Sequence, residues 1–352
     1  PLAEGVPATV MWAQIEDFDA AVFPTKPIVP YAEVAHDRIT LEIMRGCPWR
    51  CRFCEATNVK RPVRLRSVEL LVKQAEEIYA NTGYDEIALM SLSTSDYPHL
   101  EELAVELNKR FKDRKVSISF PSLRVNEQVM ILPKIASEVR RAGMTLAPEV
   151  ATDRLRNVID KRIKNEDLYN GVREMYRYGW DLVKLYFMCG IPTETEVDID
   201  GIVELAQNTS KVRKEIGQPP ARVNATVSPF VPKAHTPFQW APMRRREYFE
   251  QVRARLKKNV RGPIRIKFHE PDRAFVEGVV ARGDRKVGRA ILEAWKLGAR
   301  FDAWDEHFSY DLRMTAFAAA GIDPEFYLFR ERSADERLPW QHIDIVRQPA
   351  FL

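Results

Sequence analysis

Three cysteines stand inside eight positions of the chain, in RGCPWRCRFC, residues 45–54. Cys47, Cys51 and Cys54 are spaced C-x3-C-x2-C, and Cys189 is the only other cysteine in 352 residues. Thiolates are soft ligands that suit zinc and iron–sulfur clusters. A structural zinc site closes with four protein ligands, commonly as two separated C-x2-C pairs. No second pair exists here, so Cys189 or a distant histidine would have to complete such a site. A 4Fe–4S cluster normally takes four thiolates, one per iron. Three thiolates would leave one iron open to a ligand from outside the polypeptide.

The elements around the motif support a cofactor site. Short β-branched or apolar runs alternate with helical patterns. The expected strands are Ile39–Met44, Glu86–Ser91, Val116–Phe120, Met144–Pro148, Leu182–Met188 and Arg222–Ser228. The expected helices are Ser67–Asn81, Leu100–Phe111, Pro133–Ala142, Asp167–Tyr178, Val197–Ile216 and Arg246–Val260. Gly143, Gly179 and Gly217 each sit where a helix should stop. Six βα units in a row imply a parallel sheet, because parallel strands need crossover connections. Periodicity alone fits both a βα-barrel and an open doubly wound sheet. In either, ligands sit at the carboxyl ends of strands, and the cysteine motif follows the first strand directly.

Composition sets outer bounds. The chain is 45% hydrophobic and 30% charged, with a net charge of +4 from 54 basic and 50 acidic residues. That balance does not argue nucleic-acid binding by itself. Four cysteines, three of them clustered, are not a secreted disulfide framework and suit a cytoplasmic protein. No run of eighteen apolar residues predicts a membrane span. PLAEGVPATVMW has neither the form of a secretory signal nor an initiator Met, so the chain reads as a piece of a longer one. The expected organisation is an N-terminal linker over 1–35, a core over 36–260, and a smaller extension over 261–352. From about Gly262 the pattern reads as a short strand followed by helices, and the aromatic tail from LPWQHID is expected to pack back on the body.

C-x3-C-x-aromatic-C after the first strand resembles the signature of the radical S-adenosylmethionine (SAM) enzymes. PIVPYAEVAHDRITLEIMRGC, LSTSDY, FPSLRV, LAPEVATDRLRNVIDK, VKLYFMCGIPTET, FVPKAHTPFQW and the C-terminal RGDRKVGRAILEAWKLGARFDAWDEHF are similar to the uncharacterised radical SAM family that also contains a cobalamin-binding domain. The resemblance implies an α/β fold, a partial (βα)6 TIM-like barrel with a small, mostly helical C-terminal extension. It implies a 4Fe–4S cluster on Cys47, Cys51 and Cys54, and SAM chelating the open iron. Cobalamin is implied only through a domain not present in this chain: Asp305-Glu306-His307 lacks the glycine of a D-x-H-x-x-G motif. A reductase such as a flavodoxin or ferredoxin is the implied electron donor. The substrate is not named, and methyl or methylthio transfer to an unactivated carbon is the expected outcome. Radical rearrangement or oxidoreduction without methyl transfer is one alternative, and a non-catalytic iron–sulfur or zinc module for RNA binding or electron transfer is the other.

The resemblance also implies SAM contacts, each of which has a plainer reading. Phe53, before the last cysteine of the motif, would lie near the adenine. Ser91, Ser93, Thr94 and Ser95 stand where relatives carry a Gly-Gly-Glu-like segment for the SAM ammonium; otherwise they are a polar βα loop. Glu149 would meet the ribose or ammonium and Arg154 the SAM carboxylate; otherwise they are a helix-start carboxylate and a surface Arg. Lys184, inward, would be catalytic or anion-binding; outward, it would snorkel under a helix. The Gly190–Thr195 turn, with Pro192, lets backbone approach a ligand. Ser228 and Val231 would line the adenine. Cys189 is read as a small buried hydrophobe. Arg156, Lys161, Arg162, the stretch KRPVRLR at 60–66 and MRRRE at 243–247 are read as solvated charge.

Overall fold

The computed structural model describes residues 5, 7–34, 36–121 and 144–345. Its strands are β1 (Val10–Met11), β2 (Ile39–Glu42), β3 (Met44–Arg45), β4 (Arg64–Leu65), β5 (Glu86–Met90) and β6 (Ser117–Ser119). They continue with β7 (Met144–Glu149), β8 (Leu182–Cys189), β9 (Arg222–Pro229), β10 (Ile264–Phe268) and β11 (Ile343–Asp344). Each of the six expected strands is present. β2, β5 and β6 form one parallel sheet, and β10, β9, β8 and β7 another, in those orders. The fold is the expected α/β arrangement, with parallel sheets and helices between their strands. The helix expected at Pro133–Ala142 and the stop at Gly143 lie outside the described residues.

Helices form where the pattern requires and end at local signals. Val68–Thr82 starts at Ser67, whose side chain accepts from the Leu70 amide, and stops at Gly83 with φ +70°. Glu196–Lys211 opens with a capping box between Thr195 and Asp198, and a 3₁₀ turn, Val212–Ile216, carries it to Gly217. These helices cover one face of each sheet. Along β8, Val183, Leu185, Phe187 and Cys189 are therefore buried in the main core, while Lys184 and Tyr186 emerge on the opposite face.

The expected strand after Gly262 is β10, and it pairs in register with β9 from Ile264↔Val223 to Phe268↔Val227. The helices Pro271–Arg282, Val287–Lys296, Tyr310–Ala319 and Pro324–Leu328 follow. The tail does pack back: Leu338, Trp340 and Ile345 are buried, and Trp340 Nε1 donates to Gln239 Oε1 at 2.7 Å.

The N-terminal segment is tied to the body. β1 pairs with β11 in parallel, and Phe18 is buried against the guanidinium groups of Arg66 (4.4 Å) and Arg45 (4.7 Å). This corrects the reading of KRPVRLR as solvated charge. Arg64 and Arg66 are buried, Arg64 donating to Ile15 O and Arg66 to Ala21 O. The strap covers their stems, and its carbonyls accept from their heads. For MRRRE the reading holds at Arg244 and Arg245, which are exposed, and not at Arg246, which is partly buried and pairs with Asp272.

Candidate active site

The cysteine loop is held by its own backbone. Gly46 turns the chain at φ +98°, and a Cβ there would sit 2.5 Å from Lys60 O and 3.1 Å from Pro62 O. The Cys54 amide donates to Cys51 O (3.1 Å), and the Thr57 hydroxyl donates to Cys54 O (2.9 Å). Arg61, the head of the basic stretch, donates to Trp49 O (2.6 Å) and Pro48 O (2.8 Å). Gly46→Ala is therefore expected to lower stability by about 1–3 kcal/mol, through left-handed backbone strain and the carbonyl clash. Thermal unfolding checks this, and an unchanged midpoint would contradict it.

Cys47 and Cys51 are buried, Cys54 is partly exposed, and all are free thiols. Burial pushes the Cys47 thiol up to about 11, with further contributions from Cys51 and Cys54. Burial likewise raises Cys54, with contributions from Cys51 and Glu149. The three thiols thus occupy one locality, with Glu149 near it. Three soft donors on one short, preorganised loop fit a cluster bound through three thiolates, and binding would have to displace their protons. Among the described residues no three His, Cys, Asp or Glu side chains converge on a single ion. Cys189 lies elsewhere, buried in the main core as expected, and its thiol is raised by burial and by Glu194.

The loop after β5 packs on the cysteine loop through a residue that sequence reading passed over. Asp96 accepts from Trp49 Nε1 at 2.6 Å and from the Ser93 hydroxyl. Ser91 Oγ and Thr94 Oγ1 are 3.1 Å apart, and Thr94 Oγ1 donates to Leu89 O. Ser93, Thr94 and Ser95 are buried. The hydroxyls of Ser91, Ser93 and Thr94 are thus engaged in shaping this turn. No spacing rule links Trp49 to Asp96; only their types, an indole donor and a carboxylate in two strand-end loops, gave a signal.

Glu149 ends β7 at φ +67°, after a register shift that begins at Leu146. Its carboxylate accepts from Lys161 Nζ at 2.9 Å. Lys161 is buried, and so is Arg156, which donates to Asp153 at 2.9 Å. The solvated reading of those two residues is corrected, while Arg162 is exposed as expected. The cysteine loop docks on this segment: Arg52 donates through its amide to Ile159 O (2.9 Å) and through its guanidinium to Val158 O (2.8 Å).

Arg154 donates to Thr193 O (2.9 Å) and pairs with Asp198, so it fixes the Gly190–Thr195 turn. Gly190 has φ +90°, and its amide donates to Glu194 Oε1 at 2.6 Å. Phe53 packs with Val150, Leu155, Ile159, Ile191 and Phe230, a cluster that gathers the loops after β2, β7, β8 and β9 at their carboxyl ends. Pro192 is partly buried in the same turn. Ser228 Oγ lies 3.3 Å from His269 Nδ1. Val231 is buried in the main core beside Gly278, and Lys184 sits lower on the helix-free face. The structure thus gathers Cys47, Cys51, Cys54, Phe53, the Ser91–Ser95 turn, Glu149 and the Gly190–Thr195 turn, and sets Val231 and Lys184 apart.

Glu194 also accepts from the Tyr248 hydroxyl, and burial pushes its carboxyl up to about 7. A carboxyl that is harder to ionise when folded binds protons that the unfolded chain has released. Its contribution to stability is therefore full below about 4.5 and is lost as pH rises through about 7. Glu194→Gln is expected to flatten that part of the stability–pH curve; an identical slope in wild type and variant would refute the assignment.

Residues 41–206 match the Radical SAM superfamily. Such domains use a 4Fe–4S cluster and SAM, and the matched segment, a little under half of the chain, contains Cys47, Cys51 and Cys54. It is 35% identical over 259 residues to the uncharacterized protein MJ0966 of Methanocaldococcus jannaschii, covering 71% of this chain and 53% of that protein. It is 27% identical over 177 residues to the ribosomal protein uS12 methylthiotransferase RimO of a Sulfurihydrogenibium species, covering 47% of this chain and 40% of that one. The chain thus spans about half or less of these relatives' lengths. Among solved structures, the radical S-adenosylmethionine methyltransferase TsrM from Kitasatospora setae aligns with a TM-score of 0.44 and 14% identity, covering 54% of this chain and 36% of that one. Among the described residues no helix is long and apolar enough to cross a membrane.

Proposed function

We propose that this protein is a radical SAM enzyme that transfers a methyl or methylthio group to an unactivated carbon. The observation that carries the enzyme reading is the three free thiols of Cys47, Cys51 and Cys54 on one loop at the carboxyl end of β2. Cys47, Cys51 and Cys54 would hold a 4Fe–4S cluster there, which would supply the electron for reductive cleavage of SAM and so for hydrogen abstraction. The chain's own residues hold, orient and shield. Trp49–Asp96 locks the cysteine loop to the turn after β5, whose backbone offers acceptors to the SAM ammonium. Glu149, its charge balanced by Lys161, is the proposed partner of the ribose hydroxyls or the ammonium. Arg154 acts by fixing the Gly190–Thr195 turn, and Phe53 and the apolar cluster around it exclude water from the adenine side.

Likeness to a methylthiotransferase supports the transfer outcome over plain rearrangement or oxidoreduction. A flavodoxin- or ferredoxin-type reductase is the proposed electron donor, and the cytoplasm the proposed compartment. Cobalamin enters this reading only as a cofactor brought by another domain. The test is anaerobic reconstitution with iron, sulfide, SAM and dithionite. 5′-Deoxyadenosine is the expected product, accompanied by S-adenosylhomocysteine if a methyl group moves. Intact SAM after reduction would reject the enzyme reading.

A further inference from the structure

Among the described residues, no helix covers one face of the four-stranded sheet, and that helix-free face carries a surplus of positive charge. Strand register arranges it in rows. Lys184, Asn224 and Arg265 share one row, and Tyr186, Thr226 and Lys267 the next. Met188 and Ser228 follow, with His269 just past β10 beside Ser228. Alternation settles the face: Val183, Leu185, Val223 and Ala225 are buried in the core, and Ile264, Ile266 and Phe268 pack against it. Lys184, Tyr186, Arg265 and Lys267 emerge on the other side and are exposed.

Among the described residues, five acids of these faces and their rims are already matched. Glu42 holds Arg45, Glu86 holds Arg38, Glu149 holds Lys161, Asp181 holds Arg222 and Glu270 holds Arg253. Among the described residues, the side chains of Lys184, Arg265 and Lys267 have no ion-pair or hydrogen-bond partner. Strands about 4.8 Å apart and a rise of about 3.3 Å per residue put these three cations within roughly 7–12 Å of one another at the backbone. Their side chains are long enough to meet around one ligand. Like charges gathered without a counter-charge repel, and a multiply charged anion relieves that repulsion. Arg265 can hold such an anion through two parallel N–H bonds, with the amide and hydroxyl of Asn224 and Thr226 between the cations.

We propose that this face binds the anionic end, a phosphate or polycarboxylate group, of an elongated small-molecule substrate. The proposal rests on the enzyme reading above and names its substrate class. The cations lie about three to five residues short of the carboxyl end of β8, or roughly 10–16 Å along the strand. The reacting carbon must therefore lie about 10 Å or more from the anion to reach the cysteine-loop end of the sheet.

The test uses the reconstituted holoprotein and reads binding rather than turnover. Thermal unfolding and calorimetry are run with sodium pyrophosphate, with citrate, and with sodium chloride at matched ionic strength. The proteins are wild type, an Arg265→Gln/Lys267→Gln variant, and Arg289→Gln, which removes an exposed charge from the helix Val287–Lys296. The expected result is a saturable rise in midpoint with pyrophosphate or citrate, whichever matches the native group. It should be at least tenfold weaker in affinity in the double variant and unchanged in Arg289→Gln. Should the double variant not fold, Lys184→Gln carries the same comparison. No rise beyond chloride, or an equal rise in the double variant, would overturn the proposal. So would a short RNA that binds without competition from pyrophosphate. Failure of the enzyme reading is separate: it shows as intact SAM in the wild-type assay, whatever the anions do.

Discussion

Cys51→Ala is expected to yield a nearly colourless protein that forms no 5′-deoxyadenosine above background. Reconstituted wild type should carry about four irons and four sulfides per chain; the variant should carry less than about one of each. Cys51 is buried on a loop whose shape comes from backbone and guanidinium hydrogen bonds rather than from the thiols. Removing one sulfur therefore leaves the loop but takes away one of the three anchors. Cys189→Ala separates ligation from thiol content. Its side chain lies in the main core beside Glu194, away from the cysteine loop. Iron content in that variant should equal wild type, and the cost should be confined to stability, on the order of 1–2 kcal/mol for a buried truncation. Iron analysis and the absorbance of the brown protein check both. Full iron in Cys51→Ala, or loss of iron in Cys189→Ala, would contradict the assignment of ligands.

Arg282→Ala is expected to be among the most destabilising single changes in the C-terminal region. Arg282 is fully buried, and its guanidinium donates to Tyr327 O (2.6 Å), Ala241 O (2.7 Å), Gln239 O (3.4 Å) and Arg330 O (3.5 Å). One cation thereby ties the rim loop after β9 to the helix Pro324–Leu328 and the segment beyond it. Its own carbonyl accepts from Arg332 at 2.6 Å. Alanine would leave buried carbonyls without a donor, at about 1–3 kcal/mol each, and a void the size of the side chain. A total loss of about 3–5 kcal/mol follows, because some of these groups would recruit water. Arg282→Lys should recover only part of it, since a point-like ammonium cannot reach carbonyls on several sides at once. Arg289→Ala, on an exposed helix face, should change stability by less than about 0.5 kcal/mol. Denaturant midpoints compare the three. A shift no larger for Arg282→Ala than for Arg289→Ala would remove the buried-staple role.

What could be seen in the residues alone was whatever depends on neighbours along the chain. The strand runs are β-branched and apolar, and β2, β5, β6, β7, β8 and β9 form within them. Gly83, Gly179 and Gly217 end helices with positive φ because the left-handed region costs glycine little. The three cysteines carried their chemistry in their spacing. What only the tertiary structure decided was the fate of charge. Arg66 and Lys161 stand in runs that look solvated, yet each is buried against a segment remote in sequence. The N-terminal strap covers Arg66, and the cysteine loop docks beside Lys161. Trp49 found Asp96 across 47 positions, and Lys184 proved to face away from the helices. Burial of a charge depends on which distant carbonyl or carboxylate arrives to satisfy it, and local pattern holds no record of that arrival.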